Sequence, residues 1–126
     1  MKVKVTGKIN HSANAYVKRL MTESLVETAD ALKSDLQRSQ TMPFDTGALQ
    51  NRSTFVDDSK KNRGTVSVAS DTPYARRLYF HPEYNFQKIH NKNAGGMWFE
   101  PYINGNKKSW VPKTFAKIMK GKLKWL

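Results

Sequence analysis

Two adjacent arginines, Arg76 and Arg77, lie close in sequence to His81 and Tyr84. Guanidinium groups grip phosphate oxygens in a bidentate fork. Imidazole titrates near neutral pH and can serve as general acid or base. The chemistry such a set would perform is phosphodiester cleavage, as in a small toxin-like ribonuclease. Two features oppose it. Acid–base catalysis needs a preorganised partner, and only Asp71 and Glu83 are acidic nearby. On a helix, moreover, Arg76 and Arg77 point about 100° apart, so a given pocket receives only one of them. The spacing favours packing and surface pairing over catalysis, with His81 a bystander.

Other chemistries find less support. The histidines His11, His81 and His90 lack paired ligand spacing and the chain has no cysteine, so no metal site is expected. Neither GxxxxGK[ST], GxGxxG nor GxSxG occurs, and no cofactor is expected. A nucleic-acid binder would stack bases on Tyr79, Tyr84, Phe86 and Trp98 beside Lys88, Lys92, Lys107 and Lys108, but no RNP, KH or zinc-finger pattern accompanies them. An assembly subunit is the better fit. Tyr, Trp, Phe, Met and Arg are enriched at interfaces, and they crowd into residues 74–110.

The charge is uneven. Residues 1–58 hold eight Lys/Arg against seven Asp/Glu, and residues 59–126 hold fourteen against three, within a net charge of +12. Such a field attracts polyanions or acidic protein faces, with Lys88, Lys92, Lys107, Lys108 and Lys113 as the contacts. At 126 residues the chain is expected to form one domain. No apolar run reaches the roughly 20 residues of a membrane span, and MKVKVTGKIN lacks the apolar region of a signal peptide.

These side chains need elements to position them. Residues 2–9 alternate loosely and predict a short strand. From Ala13 to about Gln40, Val17, Leu20, Met21, Leu25, Ala29, Leu32 and Leu36 recur at steps of three and four, predicting a long helix with Ser12 as N-cap. Lys18, Glu23, Glu27, Asp30, Lys33 and Asp35 form its polar face. PFDTGAL breaks the chain. Ser53–Val56 and Thr65–Ala69 read as strands, with Phe55, Val66 and Val68 inward, joined by the polar loop DDSKKNRG. PYARRLYF fills about two helical turns capped by Asp71 or Thr72, with Tyr74 and Leu78 packing. Residues 81–109 show no periodicity and read as an extended arm. SWVPKTFAKIMKGKLKWL closes the chain as a basic helix whose apolar face is Phe115, Ile118 and Met119, with Gly121 as its end.

Three of these pieces resemble the tailed-phage minor capsid or head–tail connector (neck, tail-completion) family. PFDTGALQNRSTF is similar to its TGxL turn-and-strand signature, and SVASDTPYARRLYF to its strand-then-PYA segment. NAGGMWFEPYINGNK with the following helix resembles its minor capsid branch. The order of elements is also similar across roughly residues 12–120. One departure is that LYFHPEYNF stands where many relatives carry a Glu-x-Gly or Phe-Gly turn.

The resemblance implies an α+β subunit without enzymatic activity that joins or decorates a ring between portal and tail. Asp45, Thr46, Gly47 and Leu49 match the TGxL turn, and Tyr74 and Ala75 the YA element. The combined expectation is a long N-terminal helix on a small antiparallel sheet, with a short middle helix, an arm and a C-terminal helix. Arg76, Arg77, Tyr79, Phe86, Trp98, Phe99, Tyr102 and Trp110 are expected to meet a second copy or other connector proteins. Packaged DNA is a non-specific partner, and the location is the virion, with assembly in the host cytoplasm.

Overall fold

The computed structural model describes residues 1–7, 14–42, 54–86, 88 and 91–123. The long helix, α1 (Ala15–Ser39), is capped by Asn14, whose side chain accepts from the Val17 N–H at 2.9 Å. It therefore starts two residues later than its apolar period suggests; Ser12 lies outside the described residues. Gln40 ends the helix in the left-handed region, at φ 57°. At ~1.5 Å per residue, its 25 residues run roughly 38 Å. Leu20, Leu25, Ala29, Leu32 and Leu36 are buried along one stripe. Ser24 and Thr28 are buried in the same stripe, and their hydroxyls donate to the Leu20 and Ser24 carbonyls at 2.7 Å. That internal bonding removes the cost of hiding a hydroxyl in a core.

Three strands form an antiparallel sheet in the order β1-β3-β2: β1 (Lys2–Thr6), β2 (Thr54–Asp57) and β3 (Thr65–Ser70). A 3₁₀ turn at Lys61–Arg63 and Gly64, at φ 84°, close the hairpin between β2 and β3. Strand alternation sends Val3, Val5, Val66 and Val68 to the buried face under α1. Register corrects the expectation for Phe55. Val56 pairs with Val68 and Phe55 with Ala69, so Val56 turns inward. Phe55 is left 42% exposed on the outer face.

A three-stranded sheet and one helix bury little apolar surface alone. The remainder comes from the segment expected to be an arm, and here the expectation fails. Asn93 and Gly95 N–H groups donate to the Gln40 and Thr41 carbonyls at 3.1 and 3.0 Å. Asn91 Nδ2 donates to the Met42 carbonyl at 2.7 Å. The segment so pinned then inserts Trp98 and Phe99, 2% and 0% exposed, into the core shared by α1 and the sheet. Tyr102, on the short helix α3 (Glu100–Ile103), completes this wedge.

The middle helix α2 (Pro73–Tyr79) and the C-terminal helix α4 (Trp110–Leu123) finish the fold. α4 runs through Gly121 rather than ending there. Its Phe115, Ile118 and Met119 are half-buried, and Met119 Sδ lies 3.4 Å from Ser24 Oγ on α1. Lys122 Nζ spans to Glu27 at 3.0 Å and Glu23 at 3.7 Å. The architecture is α+β, as the sequence predicts. No helix among the described residues is long and apolar enough to cross a membrane.

Candidate functional site

α2 begins where Thr72, not Asp71, accepts from the Ala75 N–H at 3.1 Å, with Pro73 in the first turn. Its buried residues are Ala75 and Tyr79, four apart on one face. The packing face is thus one position on from the expected Tyr74 and Leu78. Tyr74 is 55% exposed, while Leu78 is half-buried at the margin. Arg76 and Arg77 both point to solvent, and Arg76 pairs with Asp71 at 3.2 Å.

His81 follows the helix. Its Nδ1 lies 2.7 Å from Glu83 Oε1, and its ring stacks on Tyr84 with centroids 4.6 Å apart and planes 7° off parallel. The His81 hydrogen bond is the main cause holding the Glu83 carboxyl below its ordinary value. His81 and Glu83 side chains are 45% and 65% exposed, so water screens the pair. Of the two neighbouring arginines, Arg76 is turned to Asp71. Among the described residues, no cluster of three or more His, Asp or Glu could hold a metal ion.

Four residues expected at subunit contacts belong to the protomer's own core instead. Tyr79, Trp98, Phe99 and Tyr102 are each 5% exposed or less. Tyr79 meets Trp98 edge-on at 4.9 Å and Phe99 at 5.9 Å, geometries that aromatic rings favour. Burial raises the Tyr79 hydroxyl above its ordinary value, with the Glu100 charge adding to it. Trp98 Nε1 donates to Ser70 Oγ at 3.3 Å, Ser70 meets Thr54 Oγ1 at 2.7 Å, and Thr54 lies 3.5 Å from Met42 Sδ. Trp110 is half-buried against Tyr102, centroids 6.0 Å apart. The physical reason is that a small sheet needs these rings to close its core.

What remains outside is a different set. Phe80, Tyr84 and Met97 are 58%, 40% and 38% exposed at the exit of α2. The Met97 N–H donates to the Tyr79 carbonyl at 3.0 Å, which brings Met97 to the turn holding Phe80. Phe86 is half-buried, its ring 6.3 Å from that of Tyr84. Aromatic density in the sequence did not separate inner rings from outer ones; the Ala75/Tyr79 spacing, read as the buried pair, would have placed Tyr79 alone.

The cations divide too. Lys107, expected to contact a polyanion or acidic surface, is engaged with Asp35 of its own chain at 2.8 Å. Lys88, Lys92 and Lys108 are exposed. Lys113 joins Lys117 and Lys120 on the exposed face of α4, at steps of four and three. The sequence reading missed this row, although the period was legible. Asp45, Thr46, Gly47 and Leu49 lie outside the described residues. No protein-family model, curated protein or solved structure matches the chain.

Proposed function

We propose that the chain is a structural subunit of a tailed-phage head–tail connector, assembling into or onto a ring that joins portal and tail. The observation that carries this reading is what folding leaves uncovered. Tyr74, Phe80, Tyr84 and Met97 stay exposed on and after α2, beside the exposed Arg76 and Arg77. Aromatic, Met and Arg side chains are those that supply interface energy. The motif order and the α+β fold agree with the family resemblance. Docking then falls to α2 and its exit, in place of a free arm, while the lysine row of α4 meets acidic protein surfaces.

Deleting the gene from the phage that carries it tests the reading. Filled heads and separate tails that fail to join are expected; normal virions would overturn it. A second reading, a basic nucleic-acid binder or ribonuclease, is favoured by Lys113, Lys117 and Lys120 alone. It requires duplex or RNA affinity that falls steeply with salt, and RNA cleavage lost in His81→Ala.

A further inference from the structure

The β1 edge of the sheet carries a groove of about 300 Å³ between that strand and α4. Its lining takes in four consecutive strand residues, Val3 to Thr6. Successive side chains of a strand point to opposite faces, so a space touching all four runs along the strand's edge. Tyr102, Val111 and Phe115 make its apolar wall, and the exposed Lys108 also lines it.

Hydrogen-bond phase fixes what the edge presents. The Ser70 N–H donates to the Met1 carbonyl at 3.1 Å, and the Gly7 N–H to the Gly64 carbonyl at 2.9 Å. With Val3 opposite Val68 and Val5 opposite Val66, the odd-numbered residues face β3 with their main-chain groups. Antiparallel ladders alternate. The N–H and C=O groups of Lys2, Lys4 and Thr6 therefore point away from β3, and of these residues Lys4 and Thr6 line the groove. The sheet order leaves no other strand beside β1 among the described residues.

We infer that this edge takes up an extended, acidic segment of another protein as a fourth strand. Such a segment would alternate. Apolar side chains on one face would cover Val111 and Phe115, and acidic ones on the other would meet Lys2 and Lys4, with Lys108 in the groove lining. Charge selects the occupant. A second copy paired edge to edge would set Lys2 and Lys4 against their own like charges, the device by which edge strands resist self-pairing. The same lysines attract a strand of opposite sign. Main-chain bonding supplies affinity and the alternating pockets supply specificity. The inference does not depend on the connector reading.

The probe is a short synthetic peptide alternating valine with glutamate, titrated into the intact chain and followed by amide hydrogen exchange. Binding should slow exchange at Lys4 and Thr6, whose N–H groups face outward, and leave Val3 and Val5 as protected as before. Affinity should fall with added salt, and a valine–lysine peptide should not bind. Lys4→Pro removes an outward N–H together with the lysine charge, at a position where strands tolerate proline. It should weaken binding about tenfold or more, whereas Lys4→Thr, which keeps the N–H, should show a smaller loss. If Lys4→Pro does not fold, methylating alternate peptide amides tests the same bonds and should abolish binding. No binding, or binding without protection at Lys4 and Thr6, overturns the inference. So does a dimer of the chain alone that Lys4→Pro dissolves, which would make the occupant a second copy.

Discussion

The Tyr102 hydroxyl donates a 2.6 Å hydrogen bond to Asp35 Oδ2, fastening α3 to the C-terminal part of α1. Lys107 Nζ reaches the same oxygen at 2.8 Å. One half-buried carboxylate thus holds together positions 67 and 72 residues apart in the chain.

Burial by itself raises the Asp35 carboxyl. The hydrogen bonds from Lys107 and Tyr102, with the Lys107 and Arg38 charges, outweigh it and keep the group below its ordinary value. A carboxylate lowered in the folded state contributes stability above its unfolded value, about 3.9, and loses it as pH falls through the folded value. Asp35→Asn should lower stability at pH 7 and differ less from wild type below about pH 4. Urea midpoints at the two pH values check this. Equal losses at both would show that the charge is not what matters. Tyr102→Phe keeps the ring packing and should cost about 1–3 kcal/mol at neutral pH.

Trp98→Ala or Phe99→Ala should destabilise by about 3–5 kcal/mol, since each empties a fully enclosed site. Tyr74→Ser and Phe80→Ser should stay within about 0.5 kcal/mol of wild type, because their rings are more than half exposed. Chemical denaturation of the four variants separates wedge from surface. A Trp98→Ala protein of unchanged stability that no longer associates would restore the docking-arm view.

Most of the scaffold was legible because its periods are clean. Leu25, Ala29, Leu32 and Leu36 mark a helix face, and Val66 with Val68 a strand face. Phe55 was misplaced because adjacent apolar residues compete for one face, and the pairing of Val56 with Val68 decides between them. Trp98, Phe99 and Tyr102 were misplaced for another reason. They follow no period, and main-chain bonds to Gln40 and Thr41 bring their segment home. Asp35 looked like one more solvent-facing acid, because its partners lie on elements remote in sequence.

Ser70→Ala should cost about 1–3 kcal/mol. The lost oxygen accepts from Trp98 Nε1 and bonds Thr54, and both lie in the core. Thermal melts of Ser70→Ala and of Ser70→Thr, which retains a hydroxyl, provide the comparison. A melt of Ser70→Ala equal to wild type would show that Trp98 finds another acceptor.

Two glycines should respond oppositely to alanine. A Cβ at Gly96 would lie 2.9 Å from the Tyr79 carbonyl oxygen and 3.0 Å from Pro82 Cα, both backbone. Gly96→Ala should therefore destabilise by about 1–3 kcal/mol. Nothing lies within 4 Å of a Cβ at Gly121, inside α4. Gly121→Ala should stabilise by about 0.5–1 kcal/mol. Differential scanning calorimetry reads both signs.

The wedge formed by Trp98, Phe99 and Tyr102 also sets a schedule for synthesis. A ribosome adding roughly 5–20 residues per second releases Leu36 on the order of several seconds before Tyr102. Through that interval the apolar stripe of α1 has only the strands to lie on. A nascent chain stalled before residue 98 should draw holdase chaperones, and one stalled well past Tyr102 should shed them.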